Sequence, residues 1–182
     1  MAFLLSANAF CGGNKTPQTD RKNTSGVTGA QQLPAEAFQP LTDDEIAGFE
    51  KALPGVGDAL DSAGYKTTVP GQDDPLPVAF EKVIDPIGKV PGVADALAKA
   101  GTNWNQFRAT HYKLSAAAAA VGVDMAMATK EQWSKDTSAA ARDYARRVEG
   151  TRKYCAGVPE GNKQMMQKYG AQLQDMGRLV RM

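Results

Sequence analysis

Apolar side chains recur at helical spacing from Leu41 to the end of the chain and are sparse before it. Thr42-Asp43-Asp44-Glu45 reads as a capping box that opens a helix, and Ile46, Phe49 and Leu53 form its apolar stripe. Its three carboxylates fall in the first turn, where the helix dipole favours them, so a cation site is not needed to explain them. Pro54-Gly55 predicts the end of that helix. A second stripe, Phe80, Val83, Ile84 and Ile87, predicts a helix over 78–87. Asn103 then caps the longest element, with Gln106 completing a second capping box. Trp104, Phe107, His111, Leu114, Ala118, Val121 and Met125 advance by alternating threes and fours, the spacing of a buried seam on a helix of about 25 residues. The run Ala116 to Ala120 offers little bulk and lets a neighbouring helix approach closely. Trp133, Thr137, Ala140, Tyr144, Val148 and Cys155 mark one face of a further helix over 130–154. Met166, Tyr169, Leu173, Met176 and Val180 mark a last one. No convincing strand alternation occurs. The expected fold is all-α, a bundle of about five to six helices, with the long helices after residue 102 antiparallel and the shorter ones of 41–101 capping them.

A repeat cuts across this pattern. Leu53-Pro54-Gly55-Val56-Gly57-Asp58-Ala59-Leu60-Asp61-Ser62-Ala63-Gly64 returns 37 residues later as Val90-Pro91-Gly92-Val93-Ala94-Asp95-Ala96-Leu97-Ala98-Lys99-Ala100-Gly101, identical at eight of twelve positions. Each copy reads as a break, a short helix begun by Pro-Gly, and a glycine stop. Leu53 to Gly57 also resembles the hairpin of helix-hairpin-helix nucleic-acid modules, whose Gly-hydrophobe-Gly amides grip a phosphate. Asp61 and Ala94 depart from that pattern, and the acidic surroundings, with Lys51 as the one cation in 41–64, repel a phosphate backbone. A plain helix-turn-helix connection accounts for the repeat without a nucleic-acid partner.

Residues 1–40 behave differently. Met1 to Ala9 carries an Ala7-Asn8-Ala9 cleavage pattern but a short apolar stretch and no cationic start, which reads as the remnant of a secretory signal. The implied location is periplasmic or secreted; a lipid anchor on Cys11 ranks below simple cleavage, because Phe10 is bulky at the position before it. If Met1 is the true start, the chain is cytoplasmic. Gly12 to Pro40 lacks periodicity and reads as a flexible, disordered leader, which makes 41–182 the single folded domain. Cys11 and Cys155 are the two cysteines, and in an oxidising compartment they are candidates for a disulfide, although Cys155 as a small buried hydrophobe is equally consistent with the sequence.

Composition changes this picture little: 42% hydrophobic and 23% charged residues fit a chain with a core, and no apolar run is long enough for a membrane span. Charge changes it more. The net value of +1 hides a sorted distribution, with five basic and eleven acidic residues over 41–101 and thirteen basic and seven acidic over 102–182. The densest basic stretch, Arg142, Arg146, Arg147, Arg152 and Lys153, is a candidate surface for an anionic partner, against the plainer reading of a solvated helix face.

Catalytic chemistry finds little material. Phosphate-loop, nucleophile-elbow and dinucleotide motifs are missing, and a single histidine and two cysteines leave no zinc spacing. His111 sits at a seam position and reads first as a core histidine; a non-covalent haem held by His111 with Met125 or Met127 is the metal-carrier alternative. The expected protein is therefore not an enzyme and needs no cofactor. The plan resembles exported all-helical bacterial proteins of uncharacterised function, through Leu41 to Ile46 with Phe49 and Leu53-Pro54, Ala100-Gly101 before Trp104 and Phe107, and Pro159 to Asn162 before the last helix. That resemblance spans 41–182 and implies an envelope location, an all-α fold and no catalytic residue. The expected role is binding or structural, toward an envelope component or another protein.

Overall fold

A computed structural model describes residues 32–68, 70–71 and 74–179. Among them the chain forms seven α-helices, with three 3-10 segments and no strand. The helices are α1 (Asp43–Ser62), α2 (Leu76–Ile84), α3 (Val93–Ala100), α4 (Trp104–Ala128), α5 (Lys130–Trp133), α6 (Ala139–Cys155) and α7 (Glu160–Tyr169). The all-α bundle expected from the periodicity is the observed fold. α4 is its axis: α1, α2, α3, α6, α7 and the 3-10 turn Ala35–Phe38 all pack on it. From Thr110 to Leu114 every side chain of α4 is buried, which only a central helix allows.

Thr42 caps α1 as the sequence predicts. Its hydroxyl accepts from Glu45 N–H at 3.2 Å, and Glu45 Oε2 accepts from Thr42 N–H at 3.0 Å. The predicted break at Pro54-Gly55 does not occur, because α1 runs through Pro54 to Ser62. The buried positions Ile46, Phe49, Leu53, Val56 and Leu60 keep one stripe across the proline. A proline inside a helix costs about 3 kcal/mol. Burying Val56 and Leu60 completely offsets a cost of that size, and the Pro54 ring lies on the exposed side. The second copy of the repeat is built as predicted, with Gly92 in a left-handed conformation (φ 86°) ahead of α3.

The two copies pack on each other through a local two-fold relation. A methyl group on Gly55 would stand 3.4 Å from Ala96 Cβ, and one on Gly92 would stand 3.5 Å from Ala59 Cβ. These pairs are the same contact with the copies exchanged. Their ends match too: Tyr65 N–H donates to Leu60 O at 2.9 Å, and Thr102 N–H donates to Leu97 O at 3.0 Å, each around a left-handed glycine. The glycines and alanines at this crossing bring α1 and α3 close together.

Three further expectations need correction. Residues 33–40, predicted to belong to a flexible leader, pack on the bundle instead. Leu33 and Ala37 are buried, and Phe38 lies against Gly157, where an added Cβ would stand 3.0 Å from its ring. Asn162, 1% exposed, holds this segment with both ends of its amide: Oδ1 accepts from Leu41 N–H at 2.8 Å and Nδ2 donates to Gln39 O at 2.9 Å. Lys113 Nζ adds bonds to Pro40 O at 3.0 Å and Glu45 Oε1 at 2.6 Å. The helix predicted over 130–154 is two, because Asp136 accepts from Ser138 N–H at 2.8 Å and Ser138 caps α6 through Ala141 N–H at 3.1 Å. The last helix is also divided. Gly170 closes α7, and a 3-10 segment, Gln172–Leu179, buries Leu173, Met176 and Leu179. Val180, the last residue of that stripe, lies outside the described residues.

Because Asn162 satisfies two backbone groups at once, Asn162→Ala is expected to cost about 2–3 kcal/mol in urea unfolding, the penalty of leaving buried polar groups unpaired. A loss under about 0.5 kcal/mol would show that water replaces both bonds.

Candidate anion-binding surface

α6 carries the basic stretch. Alanines and arginines favour the helix and Ser138 starts it, but only Val148 and Cys155 of its residues are buried. At about 100° per residue, Arg142, Arg146 and Lys153 share the outward face, while Arg147 and Arg152 stand on its two flanks. All five are exposed. The structure thus brings three of the five predicted cations onto one face and spreads the other two.

Two of the five have carboxylate partners on the same helix. Arg146 pairs with Asp143 at 3.0 Å and Arg152 with Glu149 at 3.0 Å. Arg152 holds the Glu149 carboxyl below its ordinary range. Arg142 donates to Thr137 O at 2.6 Å. Arg147 and Lys153 make no ion pair among the described residues. Exposed pairs of this kind are worth little and exchange readily with water, so the face stays available to an outside anion.

The turn joining α4 to α6 adds apolar groups that the pattern placed in the core. Met125 is 49% and Tyr144 37% exposed, the two large exposed hydrophobic side chains among the described residues. Trp133 joins them: its ring meets Tyr144 edge-on at 5.5 Å, and Nε1 donates to Ala126 O at 2.8 Å. Met125 leaves the seam because the buried line of α4 changes sides. Its second half is buried at Ala116, Ala120, Val123 and Ala126, and Met125, nine residues from Ala116, stands opposite. The alanine run does bring α6 close, with Cys155 Sγ 3.9 Å from Ala116 O.

Cys155 is buried, and burial pushes its thiol up to about 11, which keeps it protonated and unreactive. Its proposed partner Cys11 lies outside the described residues, as do residues 1–9 of the signal pattern. In the folded chain Cys155 is expected to react with a maleimide at least about a hundredfold more slowly than after unfolding. Equal rates would mean that the thiol is open to solvent.

His111 is in the core. Its ring lies 6.3 Å from Phe49, and Ser115 Oγ is 3.5 Å from Nδ1. Desolvation drives it down to about 4, partly opposed by the charge of Asp85. Asp85 itself accepts from Arg108 Nε at 2.7 Å and from Tyr112 OH at 3.1 Å. The haem alternative fails on geometry. His111, Met125 and Met127 all belong to α4, and a rise of about 1.5 Å per residue sets either methionine more than about 20 Å from His111. They cannot flank one iron. Among the described residues no cluster of three or more His, Cys, Asp or Glu is arranged to hold a metal.

Gly55, Val56 and Gly57 lie within α1, with Val56 and Gly57 buried. Their amides belong to the helix and form no exposed phosphate-gripping turn. Among the described residues, one shallow hollow lies beside Pro40, Asn162 and Lys168 and another along the α1–α3 crossing; neither of these touches α6 or His111. Among the described residues no helix is long and apolar enough to cross a membrane. Compared with protein-family models, curated proteins and solved structures, the chain matches none.

Proposed function

We propose that this is a non-enzymatic binding protein of the bacterial envelope that uses α6 to hold an anionic partner. The observation that carries this reading is the state of α6: five exposed cations, two acids, and two buried residues in a helix of 17. A helix kept only for packing has no need of so many cations on its open side. The sorting of charge, acidic over 41–101 and basic beyond, turns this side of the chain toward anions. The Ala7-Asn8-Ala9 pattern supports export, and with it a periplasmic or secreted location.

Two measurements test the two halves of the proposal. The full chain is expected to stay on immobilised dextran sulfate at low salt and to elute as salt rises. Changing Arg142, Arg146, Arg147, Arg152 and Lys153 together to Gln should abolish retention while thermal unfolding is unchanged, and each single change should lower the salt slope by up to about one. Undiminished retention of the fivefold variant would move the surface elsewhere. For location, intact mass of protein from a periplasmic extract should lack residues 1–9 or more; a full-length cytosolic species would refute export.

A further inference from the structure

We infer that the anionic partner is a lipid surface, and that the end of the molecule formed by the α4–α5–α6 turn is what rests on it. This rests on the anion-binding reading of α6 and names the partner. Three observations meet at this end. The two large exposed hydrophobic side chains among the described residues, Met125 and Tyr144, are both here, and Trp133 bridges toward them through Tyr144 and Ala126. Rings with one polar end, beside a flexible methionine, suit the headgroup layer, where an apolar body and a polar tip are both satisfied. Cations surround them: Lys130, Lys135, Arg142 and Arg147 are exposed at or within about two turns of this end. Of the acids nearby, Asp143 pairs with Arg146 at 3.0 Å and Asp124 with Lys163 at 2.8 Å, which leaves Glu131 and Asp136 against these four cations and a net positive end.

The small apolar area selects a lipid surface over a folded partner. Residues 134–140 are exposed throughout, and the two large hydrophobic side chains exposed beside them fall short of a stable protein interface. A deformable anionic layer needs no such area. Apolar tip and cationic collar supply the two weak signals that surface binding combines.

The test uses the full chain carrying Trp104→Phe, which leaves Trp133 as the only tryptophan. Mixed with vesicles of equal phosphatidylglycerol and phosphatidylcholine, it should sediment with them, and Trp133 emission should shift to the blue and be quenched by brominated acyl chains. Pure phosphatidylcholine should bind at least about tenfold less. Met125→Ser with Tyr144→Ser, both at exposed sites, should weaken anionic-vesicle binding at least about tenfold and leave dextran-sulfate retention unchanged. Vesicle binding indifferent to the serine pair, or without a Trp133 shift, overturns the inference. Retention on dextran sulfate with no vesicle binding also overturns it and leaves the anion-binding reading standing; loss of both removes both.

Discussion

Gly88→Ala is expected to destabilise the protein by about 2–4 kcal/mol, more than any surface change discussed above. Gly88 lies in the 3-10 turn Asp85–Lys89 that follows α2, directly under the indole of Trp104. An added methyl group would press on Cε2 and stand 2.7 and 2.8 Å from Cζ2 and Cδ2 of that ring. Carbon atoms settle at about 3.5–4.0 Å, so ring or turn must move. Trp104 is the first residue of α4 and stacks toward Phe107, its ring centroid 6.2 Å away, and Phe107 in turn stacks on Phe49 at 4.5 Å. Displacing the indole therefore disturbs the junction of α1 and α4. Urea unfolding gives the cost, and a Trp104→Ala background isolates its cause. There, Gly88→Ala should cost under about 1 kcal/mol, because the clash is gone. An equal cost in both backgrounds would place the strain in the turn itself.

Stability should also fall as pH drops from about 6.5 to about 4, chiefly through His111. Burial lowers its folded pKa to about 4 from the ordinary 6.5. In this window the unfolded chain takes up a proton that the folded chain refuses, so stability is complete above pH 6.5 and declines below it. Integrated over the window, the loss is on the order of 3 kcal/mol, at 1.36 kcal/mol per unit. The groups packed around the ring argue for the same direction. Phe49 and Tyr112 are apolar neighbours, Lys113 is committed to Glu45, and Asp85, whose charge opposes the shift, is bound by Arg108 and Tyr112. Carboxylates held low by partners, Glu149 by Arg152, Asp136 by Ser138, Asp43 by Tyr169 and Lys168 and Asp74 by Lys82, are solvent-exposed and begin to lose their small contributions at the acid end of this window. Urea midpoints at pH 7, 5.5 and 4.5 should fall in the wild type. In His111→Phe most of that fall should be gone. A wild type with flat stability down to pH 4.5 would mean that the ring is solvated.

The parts of this fold that were legible in the chain are those where one residue decides the local geometry. Thr42 and Glu45 close both halves of their box, and Gly64 and Gly101 take the left-handed turns assigned to them. Asn103 caps α4 through Gln106 N–H at 3.0 Å, although Gln106 returns its bond to the Asn103 side chain rather than the backbone. The illegible parts depend on partners distant in sequence. Pro54 signals a stop locally, but the stripe from Ile46 to Leu60 overrides it once α3 covers that face. Leu33 to Leu41 is too short to signal a folded segment, and its end, Gln39 to Leu41, is held by Asn162 and Lys113, which lie 73 or more residues away. Lys113 itself stood between Tyr112 and Leu114 without a sign of burial. The exposed tip was hidden for a related reason. A seam of threes and fours places Met125 inside, whereas α4 turns its alanine side to α6 in its second half. The basic residues of α6 were legible as charge, and only the helix boundaries set by Ser138 show which of them share a face.

Hydrogen exchange of the full chain with and without phosphatidylglycerol vesicles measures directly where an anionic surface touches the molecule. Added protection is expected in the last turns of α4, in α5 and in α6, with α1, α3 and the segment 33–41 unchanged. Protection gained along the α1–α3 crossing instead, or gained nowhere, would contradict it.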